Sequence, residues 1–218
     1  EKYTFSTEVP YGYEDDRVMQ IAYKIYPALR NRMPEPFLKE IDRASKDLPH
    51  PTDKDYIQWQ RGPLHKTPLT LMKSWVDSTY TNKDMWLVLV FHGIDSLGWE
   101  WTPIPKLEEY FNYIKDREDK LWIATFGDAT KYMREREAAT VSATDKNGKI
   151  YVSLNHSLDK TMYDLPLTLK TYVPNNWDKV SVSQGANTKK IDVLHDEKGN
   201  YVLYQAEPNT TETILSGN

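Results

Sequence analysis

A histidine follows a long apolar run in this chain, and proton-transfer chemistry is first expected there. Residues 86–91 are all large and apolar, and His92 and Gly93 come directly after them. A continuous apolar run predicts a strand that is buried on both faces, as in parallel α/β sheets. Enzymes with such sheets place catalytic side chains at the carboxyl ends of the strands. His92 is therefore a candidate proton donor or acceptor, because histidine titrates near neutral pH.

The side chains near His92 leave its role open. A histidine that only hydrogen-bonds a neighbouring loop would produce the same pattern. Asp95 follows in the next loop and could hydrogen-bond the imidazole, although an exposed loop carboxylate is the commoner outcome. Trp99 and Trp101 follow in that loop, where their rings could stack on sugar faces or cover the core. Trp59 allows the same two interpretations.

Metal-ligand patterns are missing from this sequence. There are five histidines, no two of them at ligand spacing, and no cysteines, which excludes disulfides and thiolate sites. No metal ligands are therefore assigned in this chain. His50 and His65 stand in proline-rich segments and are expected to be solvated. His156 and His195 stand in the C-terminal part and are expected to be structural.

Composition narrows the classes of partner. The 218 residues carry a net charge of −4 with scattered Lys and Arg, so neither nucleic acid nor an anionic membrane is expected as a partner. No apolar run approaches the roughly 20 residues that span a bilayer. Seven Trp and fifteen Tyr are many for this length. Such an aromatic excess is common in carbohydrate-active proteins, and it also serves to fill a core.

Strand–helix units recur over residues 1–139. This alternation is the pattern of a parallel sheet or barrel. Residues 31–66 are irregular and rich in proline, with 56–61 as the part most expected to be ordered. The predicted elements are, in order, strand 3–9, helix 15–25, strand 28–30, helix 67–80, strand 86–92, a helix opened by Pro105, strand 121–126 and a helix capped by Asp128.

The sequence pattern of alternating strands and helices ends after Ala139. Helical spacing disappears, and turn signals such as Asp145-Lys146-Asn147-Gly148 separate short segments of strand character. We expect residues 140–218 to form a small antiparallel β-domain, a sandwich. Its predicted strands are 140–144, 149–153, 166–173, 179–183, 190–195, 200–205 and 211–215.

Two short motifs, with their order and spacing, resemble a known family. Val9-Pro10-Tyr11-Gly12 is followed about 80 residues later by Val90-Phe91-His92-Gly93. This arrangement resembles the polysaccharide deacetylases, family 4 of the carbohydrate esterases, over residues 3–139. Segments 98–100, 121–126 and 131–136 look like the bacterial branch that attaches a β-domain behind its barrel. The resemblance implies an α/β fold, the C-terminal part of a distorted (β/α) barrel, followed by the β-sandwich.

The resemblance also implies roles for residues. His92 matches the histidine that acts as general acid and protonates the leaving sugar oxygen. The backbone around Tyr11 matches the oxyanion contact. Glu8 stands where the family has an arginine that orients the catalytic carboxylate, which leaves that role unfilled. The candidates for substrate contacts are Pro10, Trp59, Asp95, Trp99 and Trp101.

In that family a divalent metal, usually zinc, is held by one Asp and two His. These come from a Thr-Phe-Asp-Asp-Gly motif and a His-x-x-x-His motif, and neither occurs in this sequence. We therefore expect this chain to be the C-terminal portion of such an enzyme. The missing N-terminal part of the catalytic domain would lie upstream or in a separate chain, so this portion should not be active alone.

Three functional hypotheses follow. The first is a metal-dependent deacetylase that removes O- or N-acetyl groups from a poly- or oligosaccharide, to which this chain supplies the general acid and part of the oxyanion site. Resemblance alone would place such an enzyme outside the bacterial cytoplasm, in the periplasm or the medium. The second is a non-catalytic module that binds glycans or has a structural role. The third is an open-sheet protein unrelated to deacetylases.

Overall fold

The fold consists of a mixed α/β part followed by a β-rich part. The computed structural model describes residues 4–8, 10, 15–22, 24–29, 38–40, 56–61, 64–82 and 85–217, with the backbone alone for 38–40 and 56–61. The chain divides into two compact units, Glu1–Gly127 and Asp128–Asn218. The change from strand–helix alternation to antiparallel strands, predicted from the sequence, is confirmed. None of the described helices is long and apolar enough to cross a membrane.

The described strands of the first unit pair in parallel, as the strand–helix alternation predicts. β1 pairs with β2, and a second sheet has the order β3-β4-β5. These strands form open sheets, and their membership of a barrel stays a prediction. The elements are β1 (Ser6–Thr7), α1 (Asp16–Ala22), β2 (Ala28–Leu29), β3 (Leu38–Glu40), β4 (Tyr56–Arg61), α2 (Leu69–Thr81), β5 (Met85–Leu89) and α3 (Ile104–Lys115).

Helices α2 and α3 pack together through side chains at helical spacing. Met72 and Val76 of α2, Tyr110 of α3 and the preceding Leu64 are buried in one apolar cluster. The Tyr110 hydroxyl donates to the Met72 carbonyl oxygen at 3.1 Å, so a polar atom inside the cluster is satisfied. The partly buried side chains that pack on this cluster from β5 and its carboxyl end are Leu87, Leu89 and Phe91. The chain is thus anchored just before His92.

The prediction of a second buried strand at 121–126 is wrong. Residues 122–125 have no regular structure, and Trp122 and Ile123 are 59% and 53% exposed. An apolar run becomes a buried strand only where neighbouring strands supply hydrogen bonds and a covered face. No described strand pairs with this segment. A helix, α4 (Phe126–Ala138), begins at the end of this segment and lies mostly in the second unit. The expected domain boundary after Ala139 stays a prediction.

In the second unit, α4 is followed along the chain by the strands of two antiparallel sheets. Their orders are β10-β9-β13-β7-β6 and β11-β12-β8. The strand predicted at 190–195 is in fact two strands, β10 and β11, which belong to different sheets because the chain crosses over at Val193. The strands are β6 (Thr140–Lys146), β7 (Lys149–Asn155), β8 (Leu167–Tyr172), β9 (Lys179–Gln184), β10 (Asn187–Asp192), β11 (Leu194–Asp196), β12 (Gly199–Ala206) and β13 (Thr213–Gly217).

One apolar core joins the two sheets of the second unit. Alternate residues such as Val152 of β7, Val180 of β9 and Val202 of β12 are buried in a single cluster with Trp177. This alternation is expected when each sheet covers one face and exposes the other. The Asn147–Gly148 turn between β6 and β7 has positive φ at both residues, 54° and 70°, as the predicted hairpin requires.

Candidate functional site

His92 lies three residues beyond the last residue of its strand. β5 ends at Leu89, and the chain continues without regular structure to the histidine. Leu89 and Phe91 pack on the apolar cluster of α2 and α3, while the His92 side chain is 34% exposed. The packing of every second residue on this cluster, Leu87, Leu89 and Phe91, therefore continues past the end of the strand, and Val88 between them is buried as well. It fixes the backbone before His92 and leaves the imidazole accessible to solvent.

Residues 93–102, here called the histidine loop, are folded back by backbone hydrogen bonds. The Gly93 N–H donates to the Trp99 carbonyl at 2.9 Å, and the Thr102 N–H donates to the Gly93 carbonyl at 2.9 Å. The Asp95 N–H donates to the Thr102 carbonyl at 3.1 Å. These bonds hold the two ends of the loop together beside His92. The loop therefore has a defined conformation that its own backbone hydrogen bonds maintain.

Gly93 is required by the close approach of the loop to itself. A Cβ atom at this position would lie 2.2 Å from the carbonyl oxygen of Leu97 and 3.0 Å from the Cβ of Trp101. No side chain fits there without moving the backbone. Asp95 and Glu100 also adopt positive φ, 46° and 47°, which disfavours most residues other than glycine. Such strain is typical of functional loops, where the surrounding hydrogen bonds maintain it.

Glu100 is the carboxylate beside the imidazole of His92. Its Oε2 atom lies 3.7 Å from Nδ1 of His92 and 3.4 Å from Nδ1 of His65. Glu100 Oε2 and His65 Nδ1 are buried, and neither has a hydrogen-bond partner in the described part of the chain. These separations exceed an ordinary hydrogen bond, so they are close electrostatic contacts. The carboxylate of Glu100 thus faces the Nδ1 edge of the His92 ring and leaves the other nitrogen, Nε2, for a second partner.

An open cleft lies along the histidine loop. Its volume is about 870 Å³. The Trp99 ring meets the His92 ring edge-on, with centroids 4.6 Å apart. Leu97 and Trp99 are 76% and 67% exposed, so their apolar surfaces are free to contact a bound molecule. The lining residues are His92, Gly93, Ile94, Asp95, Leu97, Gly98, Trp99 and Ile104.

Comparison with known proteins gives one distant relative. The chain is similar to a gellan lyase of a Bacillus species, with 28% identity over 147 residues. The match covers 63% of this chain and 6% of that protein, so the chain spans a small fraction of its relative's length. No protein-family model and no solved structure matches the chain.

The structure brings together several of the residues predicted from the sequence. His92, Asp95 and Trp99 line one cleft, and Trp101 lies in the same loop with 43% exposure. The carboxylate beside the ring of His92 is Glu100, however, and not Asp95.

His65 also departs from expectation. Its side chain is 16% exposed and faces the carboxylate of Glu100, whereas a solvated position was predicted from its proline-rich surroundings. Sequence reasoning missed both residues, because His65 and Glu100 stand outside helices and strands, where sequence spacing does not predict which side chains meet. Folding of the histidine loop creates this contact.

The remaining candidates stay predictions. Tyr11 lies outside the described residues, and Trp59 belongs to β4, of which only the backbone is described. Pro10 is described and exposed. The oxyanion role of the Tyr11 turn and the sugar contact of Trp59 are therefore not tested by the geometry.

The described side chains do not fit the divalent metal that the family resemblance implies. His65, His92 and Glu100 approach one another, but no set of three or more His, Asp or Glu side chains in the described ranges is arranged to hold a metal ion. A catalytic zinc needs about three converging protein ligands. The chemistry that this site offers through its described residues is proton transfer by an imidazole next to a carboxylate.

Proposed function

We propose that this chain belongs to a carbohydrate deacetylase and that His92 is its general acid. One observation carries the proposal: the imidazole stands at the mouth of a cleft with one nitrogen turned towards Glu100. Such an arrangement leaves Nε2 to exchange a proton with a substrate. A positioned histidine of this kind contributes about 100-fold or more to a rate.

The reaction takes one proton from His92 and releases the protons of the attacking water to solvent. Water adds its oxygen to the acetyl carbonyl carbon, loses one proton to solvent and gives a tetrahedral intermediate; its second proton is lost when the acetyl group leaves as acetate. The bond from that carbon to the sugar oxygen, or to the sugar nitrogen of an N-acetyl group, then breaks. Protonated His92 gives its Nε2 proton to the departing atom, acetate leaves, and the neutral imidazole is later reprotonated by solvent. Glu100 would hold the ring in place through Nδ1 during both steps.

The surroundings of His92 support a polysaccharide as the substrate. Trp99 exposes a large flat ring beside the imidazole, and sugar rings pack their C–H faces on such surfaces. The similarity to a gellan lyase adds a relative that acts on a polysaccharide. A polysaccharide-directed enzyme of this kind would work in the bacterial periplasm or outside the cell.

The test measures release of acetate from acetylated xylan and from acetylated chitin oligosaccharides. It should use the longest natural polypeptide that contains this chain. We expect His92→Asn to lower kcat at least 100-fold with little change in substrate binding. His195→Asn, in the second unit, is the matched control and should keep full activity. Activity of His92→Asn within twofold of the parent would reject the general-acid role.

A non-catalytic glycan-binding module is the second candidate. The match to the gellan lyase covers only 6% of that enzyme, so the shared region need not be its catalytic part. This alternative predicts binding of glycans without release of acetate, and binding that is unchanged by His92→Asn. Acetate release that depends on His92 separates the two functions.

A further inference from the structure

The three-stranded sheet of the second unit has a covered face and an open face. Along β12, Val202 and Tyr204 are buried, whereas Leu203 between them is 45% exposed. Along β8, Leu169 is buried and Tyr172 is 40% exposed. The register places the outward residues of neighbouring strands side by side. We call the set Lys170, Tyr172, Leu194, Asp196, Tyr201 and Leu203 the tyrosine face.

Tyr172 is held in one orientation on this face. Its hydroxyl donates to Asp196 Oδ2 at 3.0 Å. Its ring meets that of Tyr201, directly opposite on β12, at an angle of 63° with centroids 6.1 Å apart. An exposed ring that is fixed at both ends loses little conformational entropy when a ligand packs on it.

Lys170 and Asp196 supply paired charges at the same place. Their side chains form an ion pair, and the ammonium also lies 3.9 Å from the centroid of the Tyr201 ring. The hydrogen bond from Lys170 lowers the pKa of Asp196 to about 2, and the same bond raises the pKa of Lys170. Both groups stay charged at neutral pH, so the charges of this pair cancel.

The character of the face selects a class of ligand. A polyanion needs a cationic excess, and here Lys170 is neutralised by Asp196. Leu194 and Leu203, 43% and 45% exposed, extend the apolar area beside Tyr172. Apolar patches between ammonium, carboxylate and phenol groups match a chain of sugar rings, which presents C–H faces between hydroxyl groups.

We propose that the tyrosine face binds a strand of uncharged polysaccharide, as a second glycan site separate from the histidine loop. The ring of Tyr172 packs against a sugar face, and Asp196 and Lys170 hydrogen-bond the adjacent hydroxyls. The region of similarity to the gellan lyase is longer than either unit, so it extends into the unit that carries this face.

Affinity electrophoresis tests the proposal with the whole chain in native gels. The probes are hydroxyethyl cellulose and galactomannan as uncharged polymers, and polygalacturonate as the anionic comparison. We expect the uncharged polymers to retard the protein and polygalacturonate to leave its mobility unchanged. Tyr172→Ala should raise the apparent Kd for the uncharged polymers about tenfold, the effect of losing a central aromatic contact. Lys170→Met should weaken binding as well.

Tyr151→Ala is the matched control, because Tyr151 of β7 faces outward on the other sheet of the same unit. It should bind as the parent does, and thermal unfolding should show that all three variants are folded. The proposal is overturned if neither uncharged polymer retards the parent, or if Tyr172→Ala binds these polymers as tightly as the parent does. It is also overturned if polygalacturonate retards the parent more strongly than the uncharged polymers do. The assay measures binding alone, so its result is independent of whether the protein releases acetate.

Discussion

The Oε2 atom of Glu100 lies 3.7 Å from Nδ1 of His92, at the end of a loop that folds back onto the histidine. We expect Glu100→Gln to lower kcat about tenfold while KM stays nearly constant, because the amide keeps the shape but not the charge that orients the imidazole. Steady-state kinetics on an acetylated oligosaccharide measures kcat and KM separately.

Glu108→Gln is the control for that substitution. Glu108 is an exposed residue of α3, and its replacement removes the same charge away from the cleft. An unchanged kcat in Glu100→Gln would show that the carboxylate has no part in positioning the imidazole. Loss of activity in both variants to the same extent would point to a general effect of charge.

Trp99 should contribute to substrate binding rather than to the proton transfer itself. We expect Trp99→Ala to raise KM about five- to tenfold, which corresponds to the roughly 1 kcal/mol of an aromatic contact. The ring is 67% exposed, so its removal should change stability little. Trp122→Ala, at a residue that is 59% exposed outside the cleft lining, is the matched control. Equal KM values for the two variants would contradict a specific role of Trp99.

The sequence placed His92 and Trp99 after one apolar run, which predicted the strand β5. The strand is shorter than predicted and only Val88 of it is buried, and the roles of His92 and Trp99 stay predictions. The sequence could not show Glu100 or His65. Their meeting depends on the backbone bond from Gly93 to Trp99, which belongs to no repeating pattern.

The fold, too, was predicted where the signal is local and missed where it depends on distant strands. Alternation of buried residues in β12 is a local signal, so the strand was predicted closely. The separation of β10 from β11 was not predicted, since sheet membership depends on which distant strand each one meets. Residues 121–126 carry a strong strand pattern, but burial requires neighbours that the local sequence does not specify.

The close packing at Gly93 gives a prediction about the loop. Gly93→Ala would place a methyl group 2.2 Å from the Leu97 carbonyl oxygen, so the histidine loop must open. We expect at least a tenfold loss of kcat/KM and a lower melting temperature. Gly127→Ala is the matched control. Gly127 lies in the first turn of α4, and its added methyl group would have its nearest neighbours at 3.8 and 3.9 Å, which are ordinary contact distances.

Gly127→Ala should leave activity unchanged and stabilise the protein by up to about 1 kcal/mol, because alanine favours a helix more than glycine does. Calorimetry and kinetics on the two variants together separate the effects. A Gly93→Ala protein with the parent's activity would show that the tight loop is not needed for function.

Glu135 makes the second unit sensitive to pH. It is fully buried on α4, where Oε1 accepts the Leu165 N–H at 3.1 Å and Oε2 lies 4.0 Å from Nε2 of His156. Burial raises the pKa of Glu135 to about 7, with Asp164 adding to the rise and Lys131 opposing it. The unfolded chain holds this proton only below about pH 4.5. The stability contributed by protonated Glu135 is therefore complete below that pH and is lost as pH rises to about 7.

Glu135→Gln should remove this dependence, because the amide oxygen still accepts the Leu165 N–H and nothing ionises. The difference in unfolding free energy between variant and parent should grow in favour of the variant by roughly 2 to 3 kcal/mol between pH 5 and pH 8. Hydrogen-exchange protection of the strand amides in the second unit, corrected for intrinsic rates, measures it.

His156 titrates in the opposite direction. Burial, with Lys160 nearby, lowers its pKa, so its contribution to stability is complete above the ordinary histidine pKa near 6.5 and is lost as pH falls from there through the lowered pKa of the folded unit. The pH dependence that comes from His156 should remain in Glu135→Gln. In the parent, the Glu135 carboxylate lies 4.0 Å from the imidazole, so the two groups titrate as a coupled pair there. Glu137→Gln, exposed on the same helix, should follow the parent at every pH. If the parent and Glu135→Gln lose stability in parallel from pH 5 to pH 8, the carboxyl group is already ionised in the folded unit at pH 5.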